Sequence, residues 1–144
     1  TTFAKSIRIV FLEEIMKSPS LISSLLPNEI SDSMQKFFVN IPLNIGSQFS
    51  GLINKNEKES LKLNLDNLTS LVEKDKFLVG NELSIADISV ASQLSLLSFP
   101  NSSGDTLKGK GCSIYINDPS LKDLFKWRDK IEEELISTNN HEFY

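Results

Sequence analysis

The side chains in this chain that can do nucleophilic, acid–base or metal chemistry are few and scattered. There is one cysteine, Cys112, and one histidine, His141. Cys112 closes the run Lys108-Gly109-Lys110-Gly111-Cys112, where neighbouring cations can lower a thiol pKa and raise its thiolate fraction. A working nucleophile also needs a base beside it, and no histidine is near in sequence. The run therefore reads as a loop with a mobile or half-buried thiol. Its Gly-Lys alternation is no phosphate loop, since the G-x-x-x-x-G-K-S/T spacing and an immediately following helix are both missing. His141 reads as a tail residue. One histidine and one cysteine cannot build a metal site, so no catalytic, cofactor-binding or metal-ligating residue is assigned.

Asp87 is the one acid expected to be buried. A buried carboxyl can serve as general acid or base, but Ser84 stands three residues before it at the head of an apolar run. That spacing makes a capping box: the Ser84 hydroxyl accepts from the Asp87 N–H while the Asp87 carboxylate reaches back to the Ser84 N–H. Two donors that have no partner within the helix are satisfied at once. Leu83 and Ile88 are spaced for the hydrophobic staple that sets the angle at which the chain enters the helix. Gly80 permits a positive φ in the turn before it. The structural reading of Asp87 prevails over the catalytic one.

The elements that must hold these residues are helical. Phe3, Ile7, Val10, Phe11 and Ile15 recur at three-to-four spacing and predict a helix over residues 2–17. A short helix is predicted from Pro19 to Leu26, then another from Asn28 to Ile41 with a break near Pro42 and Gly46. Leu61, Leu65, Leu68 and Val72 form one face of a helix over 57–74, with Lys55, Lys58, Lys62 and Asp66 toward water. The segment from Ser84 to Phe99 is apolar nearly all round and belongs inside a core. Pro100 to Asn117 reads as a long connection whose one apolar patch is Ile114-Tyr115-Ile116. Asp118 caps a last helix with Pro119 in its first turn, and Leu121, Leu124, Phe125, Arg128, Ile131 and Leu135 mark its inner side. The expected architecture is all-α, a helical bundle around one central buried helix. It would occupy residues 1–136, with 137–144 as a flexible tail.

The string Phe77-Leu78-Val79-Gly80-Asn81-Glu82-Leu83-Ser84-Ile85-Ala86-Asp87-Ile88 closely resembles the segment that opens the central helix of the C-terminal helical domain of glutathione transferases. Asp118-Pro119-Ser120-Leu121 with Trp127-Arg128 is similar to that family's P-x-L-x-x-W helix, and the composition resembles bacterial, even cyanobacterial, members. The resemblance implies that the thioredoxin-like domain carrying the thiol-activating residue is absent from this chain. Glutathione would be co-substrate of a longer parent, and the thioredoxin-like domain and a second copy of the protein would be the partners. It also implies that Phe3, Ile7 and Phe11 form one wall of a hydrophobic electrophile site, against the plainer reading of core packing. Trp127 and Arg128 brace the last helix. Similar helical domains join translation factors and tRNA-synthetase assemblies, which leaves a protein-interaction module as the alternative.

Composition bounds the partners. A net charge of −4 without a basic face argues against nucleic acid. No apolar stretch approaches the roughly 20 residues that span a bilayer, so no membrane partner is expected. A single cysteine forbids an internal disulfide and points to a reducing cytoplasm. In that setting the sequons at Asn67 and Asn101 are coincidental.

Overall fold

A computed structural model describes residues 2–25 and 55–141. Among these residues there are α-helices and short 3-10 turns but no strand, so the all-α class holds. The helices are α1 (Thr2–Lys17), α2 (Pro19–Leu25), α3 (Lys55–Val72), α4 (Ile85–Leu97), α5 (Ser113–Ile116) and α6 (Lys122–His141). The helix expected over Asn28–Ile41, and the break at Pro42 and Gly46, lie outside the described residues. None of the described helices is long and apolar enough to cross a membrane.

Each long helix contributes one apolar stripe, and the four stripes meet. Ile7 and Val10 of α1, Leu61 and Leu65 of α3, Ala91, Leu94 and Leu97 of α4, and Leu124, Trp127 and Ile131 of α6 form a single buried cluster. Helix α4 packs against α1 and α6, and α3 closes the opposite side against the same two helices. Burying each such leucine contributes about 1.5–3 kcal/mol, so the cluster dominates the stability of the bundle.

Helix α4 is interior along one face only. Asp87, Ala91, Leu94 and Leu97 are buried, whereas Ile85 is 78% exposed and Ser89 and Ser92 face water. The central-helix expectation is corrected to that extent. Ser92 explains it: its hydroxyl donates to the Ile88 carbonyl at 2.8 Å and so meets its own need at the helix surface.

The last helix differs from expectation at both ends. Pro119–Leu121 forms a 3-10 turn capped by Asp118, whose carboxylate accepts from the Ser120 N–H at 2.9 Å, and α6 follows at once. Residues from Ser137, expected as a tail, remain helical through His141. Ser137 and Thr138 donate back to the Glu133 and Glu134 carbonyls, so the final turns are hydrogen-bonded along their side chains as well as their backbone.

Helix α6 is tied to its neighbours by the two residues expected to brace it. The Trp127 indole N–H donates to the Lys76 carbonyl at 2.8 Å. Arg128, only 3% exposed, donates to the Ser98 carbonyl at the end of α4 and, through Nε, to Asp129 at 2.8 Å. A cation at a helix C-terminus answers both the free carbonyl and the negative end of the helix dipole. Two lysines of α3 do more than face water: Lys58 reaches Glu13 of α1 at 3.2 Å, and Lys62 bridges Asp66 and Asp118.

Candidate functional site

The Ser84–Asp87 capping box is present, and its carboxylate does more than close a helix. Asp87 has no exposed surface. Its Oδ2 accepts from the Ser84 N–H at 2.9 Å and the Ser84 hydroxyl at 2.6 Å. Its Oδ1 accepts from the Leu78 N–H at 2.7 Å. That third donor comes from the far side of the Gly80 turn, where φ is +69°. One carboxylate thus fastens the turn to the helix it precedes. Burial pushes the Asp87 carboxyl up, but the combined hydrogen bonds from Leu78 and Ser84 outweigh it and hold the group below the usual carboxylate range. An ionised group with its acceptors filled by backbone donors is poorly placed to move protons. Of the staple pair, Leu83 lies half-buried against the core and Ile88 lines a groove between α4 and α6.

Cys112 is fully buried rather than mobile or half-buried. Residues 97–99 and 109–112 pair through their backbones, including Cys112 N–H to the Leu97 carbonyl at 2.8 Å, and this seals the thiol beneath the loop. Burial, with Glu14 and then Glu13 adding to it, pushes the thiol up to about 12. The cations that suggested activation are engaged elsewhere: Lys108 pairs with Asp105 and Lys110 donates to Ser24, both at 2.5 Å. At neutral pH the side chain is a protonated thiol. Folded protein will therefore resist a water-soluble disulfide reagent such as Ellman's, and denatured protein will react with one equivalent at once. Fast labelling of the native chain would contradict the burial.

Two further buried polar groups, Glu13 and Tyr115, interact electrostatically with Cys112. Glu13 is 5% exposed, with one carboxylate oxygen bonded to Lys58 and the other without a partner. Tyr115 is buried on α5, and burial, then Cys112 and Glu13, push its phenol up to about 12.

The three residues read as a substrate wall share the core-facing side of α1. Ile7 has no exposed surface and is a core residue, so it cannot touch a ligand. Phe3 and Phe11 are half-buried against the same cluster, and Phe11 meets Phe99 edge-to-face at 5.8 Å. Phe3 and Phe11 keep part of their surface exposed on that side of α1, whereas Ile7 is enclosed. His141 closes α6. Among the described residues no group of three or more His, Cys, Asp or Glu side chains is placed to hold a metal ion. Comparison of the chain with protein-family models, with curated proteins and with solved structures found no match.

Proposed function

We propose that this chain is the C-terminal helical domain of a glutathione S-transferase-like protein. In the parent it supplies one side of the apolar cleft for an electrophile, together with interdomain and dimer surfaces. Glutathione is the parent's co-substrate, bound and activated by a thioredoxin-like domain. The chain alone is not catalytic: its one thiol is sealed and protonated, and Asp87, the one buried aspartate among the described residues, is committed to holding the fold. The observation that carries the reading is the family-like string itself. Its serine, aspartate and glycine each do a structural job, and downstream Trp127 ties the last helix to Lys76 just before the string while Arg128 ties it to Ser98 at the end of α4.

The test is an assay of glutathione conjugation to an apolar aryl halide, run on this chain and on the parent read from the gene upstream of Thr1. The expected result is turnover by the parent and background for the chain. An upstream sequence with no thioredoxin-like pattern, or a parent without affinity for glutathione, would overturn the reading. The alternative, an interaction module, draws support from Leu63 and Leu71, which stand 61% and 52% exposed on the outer face of α3. It expects a stable complex without glutathione affinity.

A further inference from the structure

A groove of about 230 Å³ runs between α4 and α6, away from the α1 face. Its floor and walls are Ile88, Ala91, Ile131, Leu135 and Ile136, and Glu132 is its one charged lining residue. Glu132 is held at the rim by two hydroxyls. Ser102 donates to one carboxylate oxygen at 2.7 Å, and Ser95, which shares its one proton with the Ala91 carbonyl at 3.0 Å, stands 3.1 Å from the other. The donors come from different elements, α4 and the 3-10 turn at Asn101–Ser103, so the carboxylate is fixed before any ligand arrives. Among the described residues no cation lines the groove to neutralise it.

An apolar slot with one oriented charge at its mouth selects a ligand of matching form. The volume falls below the ~300–1,000 Å³ of sites for drug-sized molecules, which restricts the occupant to a small one. We propose that the α4–α6 groove binds a small apolar ammonium ion, its hydrocarbon body on Ile88, Leu135 and Ile136 and its charge against Glu132. This site is independent of the transferase-domain reading, because it uses neither glutathione nor a second domain.

Hexylammonium is the probe, with hexanol and hexanoate as controls of the same length, titrated into the full 144-residue chain and followed by amide NMR. Saturable binding in the millimolar range is expected, as suits so few heavy atoms. Shifts should centre on Ile88, Ala91 and Ile136. Hexanol should bind about tenfold more weakly, and hexanoate more weakly still. Glu132→Gln, which keeps an acceptor for the serines, should reduce hexylammonium to the level of hexanol while leaving hexanol unchanged. Ser92→Leu, at an exposed helical position, fills the slot and should abolish both; the melting temperature of each variant verifies folding. Equal affinity for hexylammonium and hexanol, unchanged binding in Glu132→Gln, shifts centred elsewhere, or no saturation would each overturn the proposal.

Discussion

Replacing Asp87 with alanine will lower the melting temperature by about 10 °C and remove much of the soluble yield. The loss has two parts. A helix cap alone is worth about 0.5–2 kcal/mol. Here the N–H groups of Leu78 and Ser84 also lose their acceptor at a part-buried site, and each orphaned donor adds roughly 1 kcal/mol or more. A total near 3 kcal/mol is a large share of the roughly 5–15 kcal/mol typical of a domain, and at this chain length it corresponds to about that thermal shift. Asp87→Asn should fall between, because a carboxamide keeps one acceptor and turns its amino group toward a donor. A thermal melt of the three proteins checks the order; an unchanged melting temperature for Asp87→Ala would refute it.

The same residue sets an acid limb. Its folded-state pKa lies below the unfolded value of about 3.9, so its stabilisation is fully present above that pH. It is lost as pH falls through the lower folded-state value. Wild-type stability should therefore drop more steeply below about pH 4 than that of Asp87→Ala, which has already lost the group.

Gly111→Ala is the second large effect. Gly111 has φ +145°, and an added Cβ would stand 2.4 Å from the Leu97 carbonyl oxygen and 2.9 Å from its carbon. Both are backbone atoms at the end of α4, so no side chain can swing aside. The strand-like pairing of Ser98 with Gly111 must open, along with the Cys112 to Leu97 hydrogen bond that seals the thiol. A cost of roughly 3 kcal/mol is expected. Gly104→Ala separates crowding from conformation: φ is +83° there, yet nothing lies within 4 Å of its Cβ. That substitution should cost only about 1–2 kcal/mol. Denaturant unfolding of the two variants gives the comparison. Equal losses would mean that the close approach to Leu97 contributes nothing. Accelerated labelling of Cys112 in Gly111→Ala alone would support it independently.

Local chemistry was legible in the sequence, and long-range chemistry was not. The serine-to-aspartate spacing announced the α4 cap, Gly80 its preceding turn, and Pro119 the first turn of the last helix, because each acts within a few residues. The Leu78 N–H reaches Asp87 across nine positions, and Arg128 reaches Ser98 across thirty; no periodicity encodes either contact. Cys112 was misjudged for the same reason, since its burial depends on the pairing of 97–99 with 109–112 rather than on the lysines beside it. Apolar character all round suggested a fully enclosed α4, but periodicity cannot tell a surrounded helix from one whose surface serine satisfies itself. The electrophile wall rests on resemblance, and of its three residues only Ile7 is fully enclosed. The rim carboxylate of Glu132 had no signal at all, since both its serine partners lie about thirty or more positions away.

Amide hydrogen exchange at Leu78 and Ser84 tests most directly whether one carboxylate binds the turn to α4. Neither amide belongs to a helix, and the hydrogen bond each makes is to an Asp87 oxygen. Protection at both sites should approach that of Leu94 in the buried core, and should vanish in Asp87→Ala while α6 stays protected. Exchange at free-peptide rates in the wild-type protein would contradict it.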